Sequence, residues 1–452
     1  MKRTLSALLV IAAISLNAQL IQQSLYNYVP QNTYQKIGSF SEHKNYFSIP
    51  TLGYNNLSVS NSGFAINDFV DDNGKVTGSA VDEVLSSLNG IQHLNFGYKN
   101  ELINIGFSVG EKNFFMINMG TSIDVAATYT PDLMEILMYG RNGKASYGVN
   151  YDLSGTSYNI TAFTELGFGF QHKLNDQLSF GARARYLSGL VNSNAKFEDV
   201  SLIIDPANDS ISATSIFTAY DYGVSEFIMD DLQGPNNKIP NFSNAGFAID
   251  FGADYKVNDK LSFNFNVVDL GFITWKNGRF KYNDISNNGY YEGLDFDQLH
   301  IDSTGLLDAF EEIQGIYDLN EERKNYSTSL PTSLYLGGQY SLTNKVVFDG
   351  LLSGRIINKK FYPSYTVAGG FQIYKKLQTK LSYSIINNTY TNIGFGFSGN
   401  IGPFQLYVLA DNLPKAFNVY NAKYLNLSFG LNVAVFRDKD ATSSEESSED
   451  DN

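Results

Sequence analysis

The chain has 452 residues, with 32 basic side chains against 46 acidic ones and no cysteine. A formal charge of -14 argues against nucleic acid as a partner, because phosphate binding needs a cationic surface. Without cysteine there is no disulfide, no thiolate nucleophile and no Cys-based metal site.

Lys2 and Arg3 precede an apolar run from Leu5 to Leu16, and Asn17-Ala18 then precede Gln19. These are the three parts of a secretory signal peptide, so residues 1–18 are expected to be removed after Ala18. A run of roughly a dozen residues is too short to span a bilayer as a helix. Loss of two bases leaves 30 against 46 acids, a mature charge near -16. Residues 19–44 are polar and irregular, and are expected to be a periplasmic or luminal N-terminal segment.

From Lys44 onward the chain reads as alternating strands. Candidates fall at 45–60, 92–110, 114–128, 157–172, 177–190, 243–256, 260–275, 331–341, 345–356, 362–374, 377–388, 391–401, 403–411 and 422–436. His172-Lys173-Leu174-Asn175-Asp176-Gln177-Leu178-Ser179-Phe180 recurs as Tyr255-Lys256-Val257-Asn258-Asp259-Lys260-Leu261-Ser262-Phe263, and more loosely at Tyr340 to Phe348 and Tyr374 to Tyr383. Each copy is a tight polar turn between strands, with aromatic flanks. Such turns would all fall on one side, and the long connections 129–156, 191–242 and 276–330 on the other. More than a dozen strands with one apolar face each suit lipid better than a single soluble core. The fold class is therefore all-β: a transmembrane antiparallel β-barrel of about 14 strands over 45–436, with both ends periplasmic, long extracellular loops and a Gram-negative outer-membrane location.

Residues 61–91 are the expected hatch inside that barrel, with Phe64, Ile66, Phe69 and Val70 as a possible apolar pocket. Asp71-Asp72-Asn73-Gly74 could offer oxygens to calcium, but the spacing of a calcium loop is missing and a turn is the preferred reading. Short amphipathic helices are expected around Val81 to Leu88 and Leu306 to Ile313. Parity places Glu165, Arg183, Arg185, Asp250, Asp254, Asp349 and Arg355 in the lumen, charges of both signs that suggest a cross-linked interior. The last strand carries Phe429, Leu431, Val433 and Val435 on its apolar face and ends at Phe436, the aromatic terminus of many outer-membrane barrels. Residues 437–452 read as a disordered acidic periplasmic tail. The four histidines make no catalytic constellation with serine and acid, so no enzyme activity, catalytic residue, metal or cofactor is expected.

Gly402-Pro403-Phe404-Gln405-Leu406-Tyr407, Asp411-Asn412-Leu413 and the final strand 425–436 resemble an uncharacterised family of Bacteroidota outer-membrane barrels. Ile49-Pro50-Thr51-Leu52-Gly53, Asn61-Ser62-Gly63-Phe64 and the Ala18-Gln19 junction fit it too. That family is distantly similar to FadL-type transporters and to PorV-type secretion barrels, and the resemblance implies 14 strands with an N-terminal luminal segment. Two functions follow as expectations. The first is an accessory or scaffold subunit of an outer-membrane assembly or secretion complex, with outer-membrane or periplasmic proteins as partners. The alternative is a FadL-type channel for hydrophobic small molecules.

Overall fold

The computed structural model describes residues 22–70, 75–139, 150–205, 210–223, 244–283, 287–289, 320–357, 360–373, 376–386 and 389–437. The signal segment, the Asp71 to Gly74 turn, the helix expected at 306–313 and the acidic tail beyond Arg437 lie outside them.

Among the described residues nineteen strands form one sheet that closes on itself, β1 (His43–Ser48) to β19 (Tyr424–Phe436), and their pairings are antiparallel. The wall has 14 crossings. β1 and β2 (Asn55–Asn61) lie end to end between β19 and β3 (Gln92–Val109), so they count as one interrupted crossing. β12 (Asn320–Ser329) and β13 (Thr332–Ser341) likewise share the edge of β10 (Leu261–Asn283). The break between them holds Pro331, which has no N–H for the ladder. β5 (Asn150–Asp152), β8 (Ser210–Tyr222) and β11 (Asn287–Gly289) pair only at the loop end.

The remaining crossings are β4 (Asn113–Tyr129), β6 (Ser157–Lys173), β7 (Leu178–Asp205), β9 (Ala245–Lys256), β14 (Val346–Ile357), β15 (Lys360–Ile373), β16 (Leu377–Ile386), β17 (Thr389–Ile401) and β18 (Phe404–Ala410). All 14 strand positions expected from sequence are present. Two run further than expected. β7 has 28 residues and β10 has 23, where roughly 9–11 cross a bilayer. With β8 and β12 they carry the sheet into stretches read from sequence as loops 191–242 and 276–330.

The repeated turns share one chemistry. Asn175 Oδ1 accepts from the N–H of Gln177 and Leu178, Asn258 Oδ1 from Lys260 and Leu261, and Thr343 Oγ1 from Lys345 and Val346. A short side-chain acceptor at the first turn position closes each hairpin, which is why the motif recurs.

Parity separates the two faces of the wall. On β9 and β10, Phe247, Phe251, Phe263, Phe265 and Phe272 are outward and about half exposed, while Asp250 and Asn266 are buried. The same outward apolar belt continues through Leu336, Phe348, Val367, Leu381, Ile393 and Val408. A water-exposed surface of this kind would be prohibitive, whereas lipid accepts it. The protein is a transmembrane β-barrel, and among the described residues no helix is long and apolar enough to cross a membrane.

On β19 Leu425 is buried, although it shares the parity of Phe429 and Val435. Phe436 turns inward, 4.7 Å ring to ring from His43 and edge-on to Tyr28. Its parity is opposite to that of Phe429 and Val435, so the strand's final aromatic packs on the N-terminal segment.

Candidate functional site: a plugged and capped lumen

The turn-end half of the lumen is filled by the N-terminal segment, residues 22–42. Tyr26, Val29, Gln31 and Ile37 are fully buried there. The segment has little regular structure, two 3-10 turns at Gln22–Leu25 and Pro30–Tyr34, so its polar groups bond to the wall. Gln31 Nε2 donates to Glu101 Oε2 at 2.9 Å and to Asn432 Oδ1 at 3.0 Å. The Tyr34 hydroxyl donates to Glu101 Oε1 at 2.6 Å. The Gly38 N–H donates to Asn266, the Ser39 hydroxyl to Asp254, and the Gln171 amide to the carbonyls of Ile37 and Ser39. The Tyr34 ring stacks on Tyr54 at 5.2 Å and also takes Lys99 at 4.4 Å and Arg183 at 4.6 Å. Burial, with Glu101 adding to it, pushes the Tyr34 phenol well above its ordinary pKa, so it stays a donor.

At the height of the plug runs a chain of ion pairs. Arg185 bridges Glu165 at 2.7 Å, Asp250 at 2.8 Å and Asp269 at 2.6 Å, and Arg183 holds Asp250 at 2.6 Å. Lys99 completes Glu165 at 3.0 Å, and Lys36 of the plug lies 3.6 Å from Asp254. Asp349 pairs instead with Lys380, and Arg355 with Asp124 at 2.9 Å. The structure thus brings Glu165, Arg183, Arg185 and Asp250 into one cluster and leaves Asp254, Asp349 and Arg355 in three separate pairs. Lys99, Glu101, Asp124, Asp269 and Lys380 belong to the same interior and were not named from sequence. Asp124 and Lys380 sit on inward parity and could have been. Glu101 and Asp269 adjoin bulges that shift the alternation, between Glu101 and Ile103 and between Val267 and Leu270.

Residues 61–91, the expected hatch, join the loop ends of β2 and β3. They build an apolar core at the mouth with α1 (Gly78–Ser87) and α2 (Pro131–Tyr139). Thr77 caps α1 by accepting from the Ala80 N–H. Fifteen buried residues form this core, Phe64 and Phe69 among them, with their rings 4.6 Å apart. Val70 packs on its edge and Ile66 is half-buried. The occupant of the lumen's turn-end half is the N-terminal segment, which bonds to the wall through polar groups and packs Leu25, Val29 and Ile37 into apolar clusters with it; the apolar residues of 61–91 pack together at the mouth. Between cap and plug lies a cavity of about 100 Å³ whose wall mixes charged and polar groups with apolar ones such as Phe163 and Leu330.

Among the described residues no group of His, Cys, Asp and Glu is arranged to hold a metal ion.

A family model described as a family of unknown function, DUF5723, matches residues 38–411. The chain belongs to this family. No curated protein matches it. Among solved structures it is similar to a deltaS2S3 mutant of the monoaromatic hydrocarbon channel TodX, at 8% identity over 95% of this chain and 98% of that one, with a TM-score of 0.43. It is also similar to a Pseudomonas aeruginosa FadL homologue, at 10% identity over 94% and 100% of the two chains with a TM-score of 0.42. The toluene transporter TbuX of Ralstonia pickettii gives 8% identity, 87% and 90% coverage and a TM-score of 0.41.

Proposed function

We propose that this DUF5723 member is a non-enzymatic, gated channel of the Gram-negative outer membrane that takes up small hydrophobic molecules, with its turn end and both termini in the periplasm. The observation that carries this reading is the apolar core at the mouth. A cap needed only to close a polar barrel has no reason to concentrate fifteen buried, mostly apolar residues there. Met134 and Met138 lie within that core, and unbranched thioether side chains repack around guests more readily than branched ones do. Phe64, Phe69 and Val70 would line the capture site, and the plug would gate release.

The test is binding of the hydrophobic fluorophore N-phenylnaphthylamine to the processed protein in detergent. Parent protein is expected to enhance its fluorescence saturably, and Ile136→Asp is expected to abolish this while leaving the folded barrel resistant to SDS. Equal, non-saturable signal from both proteins would refute the reading.

An accessory or scaffold role in an outer-membrane assembly is the second reading. The interlocked ion pairs of the lumen and the sheet that runs on past the membrane belt favour it. Co-purification with other outer-membrane proteins at stoichiometric yield would support it, and a clean monomer in mild detergent would count against it.

A further inference from the structure

The lumen's charges divide into two classes by exposure. Arg183, Arg185, Glu165 and Asp250 have side chains no more than 2% exposed, each ion-paired to fixed partners. The Arg355–Asp124 pair is different, at 19% and 28% exposed, and both residues line the cavity between plug and cap. They come from β14 and β4, the ninth and third crossings of a 14-strand wall, so the pair is a strut thrown across the lumen. Beside it stand Asp269, whose side chain is 36% exposed, and the phenol-bearing wall residue Tyr335. Asp269 also has a backbone φ of 62°, one of three non-glycine residues with positive φ among those described. Strain of this kind in a bulged strand persists where surrounding contacts hold it, and it gathers at ligand sites.

A cross-lumen ion pair with solvent access is a site whose two halves are already separated and opposite in sign. A solute carrying one charge would satisfy one half and leave the other, a partly buried charge, without its partner, which is costly. A neutral solute gains nothing from either. A small zwitterion can replace the strut outright, its carboxylate on the Arg355 guanidinium and its ammonium on Asp124, with Asp269 close by. A single water needs roughly 10–15 Å³ of such space, so about 100 Å³ holds several waters or a solute the size of a free amino acid.

We infer that the cavity between plug and cap is a binding site for a small zwitterion of amino-acid type, which binds by exchanging into the Arg355–Asp124 pair. This goes beyond the hydrophobic-uptake reading and does not depend on it, since the mouth core contributes none of the groups invoked.

The test is saturation-transfer NMR on the processed full chain in detergent, with L-alanine, propionate and ethylammonium as probes. L-alanine is expected to bind at least tenfold more tightly than either singly charged analogue. Arg355→Gln and Asp124→Asn are each expected to weaken L-alanine about tenfold or more, the loss of one charge-assisted contact. Heat-modifiable migration on SDS gels shows whether each variant still folds, and N-phenylnaphthylamine binding reports the mouth independently. Equal affinity for the three probes would overturn the inference, as would L-alanine binding that survives both substitutions in folded protein. A variant that does not fold is replaced by Arg355→Lys, which keeps the charge, loses the paired fork of donors, and is expected to weaken L-alanine while retaining its preference over the analogues; equal affinities there would likewise overturn it.

Discussion

The plug meets the backbone of the wall at Gly38, and that contact sets a quantitative test. A Cβ on Gly38 would fall on the backbone of Gly252 and Ala253, and one on Gly181 would fall on the Ile37 carbonyl. Backbone cannot yield as a flexible side chain does, so Gly38→Ala must lift residues 37–39 off the wall or strain the sheet. Overpacking of this kind costs about 1–3 kcal/mol. The turn is held by five hydrogen bonds: Gly38 to Asn266, Ser179 to the Gly38 carbonyl, Gln171 to Ile37 and Ser39, and Ser39 to Asp254. At about 0.5–1.5 kcal/mol net each, these total about 3–8 kcal/mol. The clash therefore offsets a sizeable part of what holds the turn, and the released state should rise about 5–150-fold in population. Planar-bilayer recording should show more frequent openings, and trypsin should cut after Lys36, which is buried in the parent. Gly350→Ala is the control, because a Cβ there meets nothing within 4 Å. Gly38→Ala protein with parental conductance and a protected Lys36 would show that the N-terminal segment is not the movable seal.

Arg185→Leu removes the cation shared by Glu165, Asp250 and Asp269; uncompensated buried charge should cost about 3–5 kcal/mol, seen as a lower urea midpoint for unfolding from vesicles. Val367→Arg places a charge on a side chain that is 62% exposed on the outer face, and should cost about 2–4 kcal/mol if lipid lies there at mid-depth. Unchanged refolding yield and stability would place that face outside the membrane. Ile136→Ala opens the mouth core and should cost about 2–5 kcal/mol locally, making α2 sensitive to protease before the barrel is. If the cap and barrel instead unfold at one midpoint, the cap is not a separable unit.

Much of the barrel was legible because a strand has only two faces. The Asn175, Asn258 and Thr343 turns announce hairpins by their side-chain acceptors, and alternation then assigns each neighbour to lipid or lumen. That logic fails wherever a bulge adds a residue. Glu101 and Asp269, two carboxylates central to the interior, both lie beside one. The bulge at Ala162/Phe163 shifts the loop-end part of β6 and β7 in the same way. The sequence places the plug only as periplasmic or luminal, because that segment has no period. What fixes it is a set of bonds to residues as distant as Asn432, and no local pattern records those. The mouth core was half visible: Phe64 and Phe69 were named, but α2, which supplies Ile136 and Leu137, was read as part of a long connection.

The two closures of the lumen differ in their balance of polar and apolar contact, and that difference orders how they can open. The plug packs Leu25, Val29 and Ile37 into apolar clusters with the wall, but it also faces the wall with many polar groups, and water entering the gap can take over those hydrogen bonds at a small net cost. Gln31, Ser39 and the Ile37 carbonyl lose a protein partner and gain a solvent one. The mouth core has no such substitute. Separating Val81, Ile136 and Leu137 would expose apolar surface that water cannot compensate, at roughly 25 cal/mol for each Å². Only another apolar molecule can replace those contacts on equal terms. Hydration therefore offsets much of the polar cost of loosening the turn end, whereas the loop end yields to an apolar guest, and a passage through this barrel needs both events rather than one.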